Sequence, residues 1–291
     1  MQKTLMIALA GAPNAGKSTL INKIIGQKIA IVTSKCQTTR FNTKGVLNID
    51  DIQLIFIDTP GLFKPDKILE KGIVKQARLG LEEADLVCLT IDSFFAKRQD
   101  FSNILQQLKV FEKPVILLLN KTDIIKDKTE LLQISEYMNE LYNFNATFMI
   151  SAKKGSGIKE LINYMKENAL EGPWIFDQDI ASNVTDRKLS EEITREALYY
   201  SLGAELPYSL EVETELWEEK SDGSVKINQV IHILKTSQKK IILGSKGQKL
   251  KSVGQRSREQ ISSILERPVH LFLYVKVKAD WIERRVHNIF S

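Results

Sequence analysis

Short apolar runs alternate with amphipathic stretches through the first ~170 residues of the chain, a length that suits one domain. The runs lie at 5–10, 52–57, 86–91, 115–119 and 147–150. Each is rich in Val, Ile and Leu and too short for a helix, which predicts strands buried on both faces. The stretches 98–111 and 128–142 between them carry helical spacing. Strands separated by helices predict an α/β domain over 1–170, with a mostly parallel sheet and helices on both faces.

The rhythm breaks at 171–187, where Gly172-Pro173 and a polar run predict a linker. Residues 188–291 then predict a smaller α+β domain. A helix is expected at 190–203 and two strands at 209–218 and 224–234, around a turn at Ser221-Asp222-Gly223. A helix–loop–helix at about 237–266 and an alternating strand at 269–277 complete it. There is no internal repeat or low-complexity tract.

Charge adds an asymmetry that the net +5 conceals. Residues 226–291 hold 14 Lys/Arg and 4 Asp/Glu, whereas 186–225 hold 4 basic and 11 acidic residues. Basic charge gathered at one end points to a polyanionic partner, the alternative being a solvated basic face. Two cysteines, Cys36 and Cys88, imply no disulfide framework and suit a reducing cytosol. No apolar run reaches the ~18–20 residues that span a bilayer, so a soluble chain able to lie against a membrane is expected.

Candidate chemistry sits at the strand ends. Gly11-Ala12-Pro13-Asn14-Ala15-Gly16-Lys17-Ser18 follows the first strand and opens a helix through Thr19. That is the context in which G-x-x-x-x-G-K-[ST] cradles phosphates with backbone amides and a helix N-terminus. It also makes the preceding Lys and apolar run a strand rather than a secretion signal. Lys17 is expected to reach the β- and γ-phosphates and Ser18 to ligate Mg²⁺. Asp58-Thr59-Pro60-Gly61 closes the second run. Asp58 can hold the same Mg²⁺ through water, and Gly61 can bring a backbone amide to the γ-phosphate.

Asn120-Lys121-Thr122-Asp123 ends the fourth run and selects the base. The Asp123 carboxylate can accept from the N1–H and exocyclic amine of guanine, and adenine offers neither donor. Ser151-Ala152-Lys153 supplies a last loop, whose backbone amide can meet the guanine O6. The order and placement of these pieces follow the crevice rule for open α/β sheets.

With these motifs, residues 1–170 resemble a translation-factor-class GTPase domain. The resemblance implies that a first-switch threonine also binds Mg²⁺. Within Gln37-Thr38-Thr39-Arg40 the expected ligand is Thr39, with Thr38 as the alternative. Where Ras-like proteins place a water-orienting Gln, this chain has Leu62, so slow hydrolysis, or hydrolysis aided by other groups, is expected. In related GTPases with a G-x-P-N-x-G-K-S loop the Asn helps bind K⁺, which gives Asn14 that role by resemblance. The groups expected to carry the reaction are Lys17, Asn14, Thr39 and Gly61.

The second domain carries Gly244-Ser245-Lys246-Gly247 between two amphipathic segments. It resembles a KH module of the type II kind, whose G-x-x-G loop clamps about four nucleotides. The expected RNA contacts are Lys240, Ile242, Gly244, Ser245, Lys246, Gly247, Lys249, Leu250 and Lys251, with Arg256 and Arg258 as weaker candidates. A simple helix–helix turn is the competing reading.

Taken together, the chain is similar throughout to the Era family of GTPases. Further matches are Gly203-Ala204-Glu205-Leu206-Pro207-Tyr208, Pro268-Val269-His270-Leu271 and Val275-Lys276-Val277-Lys278. The resemblance implies a monomeric GTP/GDP switch that binds 16S rRNA near its 3′ end and assists assembly of the 30S subunit. It also implies a cytoplasmic protein with peripheral contact to the inner membrane. The tail ends soon after Trp281-Ile282, so extra C-terminal contacts are not expected.

His232, His270 and His287 lack metal-ligand spacing and are expected to be structural. Trp174, Trp217 and Trp281 read as packing anchors, and Glu211, Glu213 and Glu215 as the solvent face of a strand. Two rival readings remain, a C-terminal docking module for protein or membrane and an ATP-driven enzyme. Asp123 argues against the second.

Overall fold

The computed structural model describes every residue except 34, 36, 37, 64, 66, 67, 97, 98, 204–209, 279, 280 and 282–291. Cys36, Gln37, residues 204–208, Ile282 and His287 therefore lie outside the described residues. The chain divides into two compact units, 1–30 with 36–183, and 31–35 with 184–291.

In the first unit the expected strands form as β1 (Lys3–Ala10), β3 (Ile52–Asp58), β4 (Leu86–Asp92), β5 (Val115–Asn120) and β6 (Ala146–Met149). An edge strand, β2 (Thr43–Ile49), was not expected, because its polar-rich TKGVLNI lacks a continuous apolar run. Six strands run in the order β2-β3-β1-β4-β5-β6, and along that path only β2 on β3 is antiparallel. The helices are α1 (Lys17–Ile25), α2 (Ile68–Glu83), α3 (Ser102–Lys109), α4 (Thr129–Leu141) and α5 (Ile158–Glu167).

Alternation along each strand feeds two cores. Ala8, Leu89 and Leu117 face α2, α3 and α4, where Ala77, Leu105 and Met138 meet them. Ile7, Cys88 and Leu118 face α1 and α5, where Leu20 and Met165 pack. Covering both faces anchors the parallel sheet, and each fully buried Leu or Ile contributes about 1.5–3 kcal/mol of transfer free energy. All the parallel strands end at one edge, which gathers the four motif loops.

The stretch read as a linker, 171–187, is split by its contacts. β7 (Leu170–Glu171) pairs antiparallel with β1. The Trp174 indole N–H donates to the Asp51 carbonyl at 3.2 Å, and buried Gln53 accepts from the amides of Ile175 and Phe176 at 2.9 and 3.0 Å. Residues 171–183 are thus fastened to the first unit, because backbone polar groups there find partners on its edge.

The second unit runs α6 (Asp186–Ser201), β8 (Leu210–Glu219), β9 (Val225–Ile233), α7 (Thr236–Leu243), α8 (Gln248–Leu265) and β10 (Val269–Val277). β9 pairs antiparallel with β8 and parallel with β10. Ala197 and Leu198 of α6, Ile242 of α7 and Val253 of α8 pack on Val212, Ile231 and Val275 of the sheet. The three glutamates of β8 differ from one another. Glu213 bonds His232 at 2.8 Å and Glu215 pairs with Lys276 at 2.6 Å across the sheet, while Glu211 is buried. Trp281 is buried, and Trp217 packs against the core beside Ile227 and Ile261.

Candidate functional site

The phosphate loop joins β1 to α1. Its Lys17 is buried, and the ammonium donates to the carbonyls of Gly11 and Ala12 at 3.1 and 3.0 Å. Burial lowers its pKa to about 8, partly opposed by the negative charge of Asp58. Phosphate oxygens placed in the loop would replace those carbonyls and strengthen the preference for the charged ammonium. Asn14 stands exposed at the loop, with left-handed backbone (φ 63°).

Asp58 ends β3 wholly buried. It accepts from the Ser18 hydroxyl at 2.7 Å and from Thr39 at 3.3 Å, and the two hydroxyl oxygens are 3.0 Å apart. Burial raises the Asp58 pKa, while Ser18, Lys17 and Thr39 oppose the rise. Its Oδ1 atom is buried without a hydrogen-bond partner. Adjacent ligands of an octahedral ion with bonds of about 2.0–2.1 Å lie about 2.9 Å apart, so this cluster of hard oxygens fits Mg²⁺. The geometry favours Thr39 as the switch threonine.

Gly61 lies against the phosphate loop, where a Cβ would come within 2.8 Å of the Pro13 nitrogen. Only glycine permits that approach. Thr59 donates its hydroxyl to the Leu9 carbonyl at 2.8 Å, and the Leu62 amide bonds the Gly11 carbonyl at 3.0 Å. The Leu62 side chain is buried in the core, so it orients no water.

The base-recognition loops interlock. Asn120 donates to the Ala15 carbonyl at 2.8 Å and accepts from the Ala152 amide at 2.9 Å, which ties three motifs together. The Ala152 amide, one of those in the loop expected to meet the guanine O6, is thus bonded to Asn120 in this structure. Ser151 donates its hydroxyl to Asp123 at 2.5 Å, and this bond, first among the causes, holds the carboxyl below its usual range. Asp123 therefore presents an ionised acceptor. Asp92, at the end of β4, pairs with Lys121 at 2.6 Å. It was not expected, although an acidic residue ending a buried run at this sheet edge was the available signal.

In the second unit, the turn between α7 and α8 places Gly244 at φ 69°, where a Cβ would lie 2.7 Å from the Lys249 Cβ. Lys246 takes a left-handed backbone (φ 47°). Lys240, Ser245, Lys246 and Lys251 are exposed, and Lys249 is half-buried. Ile242 corrects the expectation: it is fully buried in the core, where RNA cannot reach it, because the helix turns it toward the sheet.

A groove of about 430 Å³ runs beside this turn. Gly247, Leu250, Lys251, Gly254, Gln255 and Arg258 form one wall, and Leu271, Phe272 and Leu273 of β10 the other. Gly254, Gln255, Leu271, Phe272 and Leu273 were not among the expected contacts. The spacing 247, 250, 251, 254, 255, 258 is a helical stripe and could have been read from the sequence. Arg256 projects elsewhere, its guanidinium 4.5 Å over the Tyr200 ring. Among the described residues, no group of three or more His, Cys, Asp or Glu side chains could hold a metal.

Comparison with known proteins covers both halves of the chain. A family model described as 50S ribosome-binding GTPase matches residues 6–121, and one described as KH domain matches 205–282. The chain is 49% identical over 275 residues to the GTPase Era of Mesorhizobium japonicum, covering 94% of this chain and 88% of that protein. It is 45% identical over 280 residues to the GTPase Era of Ehrlichia ruminantium, covering 96% and 94%. A crystal structure of Era in complex with MgGDPNP and nucleotides 1506–1542 of 16S ribosomal RNA matches with a TM-score of 0.94 at 34% identity, covering 100% of this chain and 99% of that one. A crystal structure of Aquifex aeolicus Era bound to GDP·AlF4⁻ matches with the same score and coverage.

Proposed function

Because the chain belongs to the Era family of GTPases, we propose that it binds 16S rRNA near its 3′ end and assists assembly of the 30S subunit. The observation that carries this reading is the pairing, in one chain, of a guanine-selective phosphate-loop site with a G-x-x-G groove lined by cations. The related Era structure holds MgGDPNP and 16S rRNA together, which supports both halves.

The chain's own residues contribute position and charge. Backbone amides of the phosphate loop and the Lys17 ammonium hold the β- and γ-phosphates. Ser18, Thr39 and Asp58 would hold Mg²⁺, which supplies positive charge at the phosphates when bound. Gly61 brings its amide to the γ-phosphate, and the buried Leu62 leaves the attacking water to backbone and Thr39. Hydrolysis without a side-chain water-orienter is slow, and preorganised charge does most of the work.

A monovalent cation fits that deficit. Asn14, exposed at the phosphate loop, would help hold K⁺ where an arginine finger would otherwise lie. Turnover is expected to be several-fold faster in KCl than in NaCl at equal ionic strength, and equal rates would remove K⁺ from the mechanism.

RNA is held at the turn by Lys246, Lys249 and Lys251 and along the groove by bases laid between α8 and β10. Gly244→Asp crowds Lys249 and adds a negative charge at the clamp. RNA affinity is expected to fall at least tenfold, with RNA-free GTP turnover unchanged. The salt slope of binding should reflect about three to five phosphate contacts. Vesicle binding that survives the change while RNA binding was never present would favour a docking module instead.

The proposal extends to a monomeric, cytoplasmic protein with peripheral contact to the inner membrane. Among the described residues no helix is long and apolar enough to cross a membrane.

A further inference from the structure

Between Asn120, which ties the base-recognition loops together, and Asp123, which offers acceptors to guanine, stands Lys121. β4 and β5 lie side by side in parallel, in a register that sets Asp92 opposite Asn120. Lys121 therefore leaves the sheet one residue beyond the level of Asp92. Its backbone is left-handed (φ 65°, ψ 34°), a conformation that is costly for a residue with a Cβ and that gathers at functional sites. Its ammonium donates to Oδ2 of Asp92 at 2.6 Å. The lysine stem thus runs across the sheet edge, from the end of β5 to the end of β4.

Asp92 is held rigidly enough to anchor it. Its side chain is 11% exposed, against 34% for that of Lys121. The other carboxylate oxygen, Oδ1, accepts from the Phe94 amide at 3.1 Å. The Ser93 amide donates to the Asn120 carbonyl at 3.0 Å. Asp92 is thereby fixed by its own turn, and that turn is fixed to the strand that carries the base-recognition loop. A charge-assisted bond to a largely buried carboxylate is short, strong and less screened by salt than an exposed pair. The flexible member of the pair is Lys121, so the lysine is what the bond orders.

We propose that Asp92 is a positioning residue for guanine binding: it holds the Lys121 ammonium at the end of β4 and so sets the lysine stem as an apolar shelf beside the base site. The claim rests on the guanine reading of the loop 120–123. Asp123 engages donors in the plane of the ring, which leaves the faces of the ring to apolar contact. A lysine stem offers apolar methylenes while its charged head stays solvated or paired. Untethered, that stem explores many rotamers, and ordering it on binding subtracts from nucleotide affinity. Tethered beforehand, it is already in place. Because the base is common to GTP and GDP, the tether acts on both equally and leaves the γ-phosphate chemistry alone.

The test is a double-mutant cycle in the full chain with Asp92→Asn and Lys121→Met. Asp92→Asn keeps the size and an acceptor for the Phe94 amide but removes the charge. Lys121→Met keeps an unbranched apolar stem and removes the ammonium. Dissociation constants for GDP and a non-hydrolysable GTP analogue are measured with Mg²⁺, and single-turnover hydrolysis is followed at saturating GTP. Each single change is expected to weaken both nucleotides by the same factor, about three-fold or more, and to slow hydrolysis of bound GTP less than about two-fold. The double variant is expected to bind no worse than the weaker single one, since either change releases the same tether. Losses that multiply in the double variant would show that Asp92 serves the β4 turn alone, and would overturn the proposal. Unchanged affinity in either single variant, or a loss confined to the analogue, would overturn it as well. Should Asp92→Asn fail to fold, Lys121→Met, at a half-buried position, still decides through its expected equal loss for both nucleotides. A guanine preference retained by Asp123→Asn would defeat the reading of the loop, yet the cycle, read on affinity alone, would still decide the tether.

Discussion

Replacing Asp123 by Asn is expected to abolish the preference for GTP over ATP. The carboxylate is held ionised by the Ser151 hydroxyl at 2.5 Å and offers acceptors to the two guanine donors. Asn turns one acceptor into an N–H donor that would face another donor. Hydrogen bonds to a charged group contribute about 1.5–3 kcal/mol each, so losing two weakens GTP on the order of 10²-fold or more. ATP offers no donor at those positions and is expected to bind as before. Competition titration with a fluorescent guanine nucleotide reads the ratio directly, and an intact preference would show that the base is read elsewhere.

Lys17→Ala is expected to have an effect of similar size, for a different reason. The side chain is buried within reach of the loop carbonyls, and burial works against its charge, lowering its pKa to about 8. Phosphates reverse that balance, which makes the interaction stronger as charge builds at the γ-phosphate. Removing it is expected to cost about 10²–10³-fold in single-turnover hydrolysis. It also removes a charge that lowers the Asp58 pKa, so the Mg²⁺ requirement should move to higher concentration. Hydrolysis within about three-fold of wild type, in a protein of unchanged stability, would contradict this role.

The nucleotide half was legible in the sequence because its residues sit at strand ends within short contiguous motifs. Asp58, Asn120, Asp123 and Ser151 each follow a run of buried Val, Ile and Leu, and the parallel sheet brings those ends together. What the sequence hid depends on contacts far apart in the chain. The antiparallel β2 has no apolar run to announce it. The segment fastened by Gln53 and Trp174 reads as a polar linker because its partners are backbone groups on another strand. α2 spans Ile68–Glu83, where apolar residues recur at helical spacing.

The RNA half was legible in its turn and less so in its walls. Gly244 and Gly247 mark the clamp, whereas Phe272 and Gln255 join the groove only once β10 packs against α8. Ile242 shows the limit of placing side chains by proximity in sequence. It lies two residues from the clamp, yet the helix points it into the core.

The central claim is that a guanine-nucleotide switch governs rRNA binding in one chain. The direct measurement is binding of a single-stranded fragment from the 3′ end of small-subunit rRNA to the full chain, with a GTP analogue and with GDP. Tighter binding with the analogue is the predicted result. Equal binding in both states would contradict the gating and leave an ungated RNA-binding GTPase, and no binding in either would leave a GTPase whose partner is a protein or a membrane.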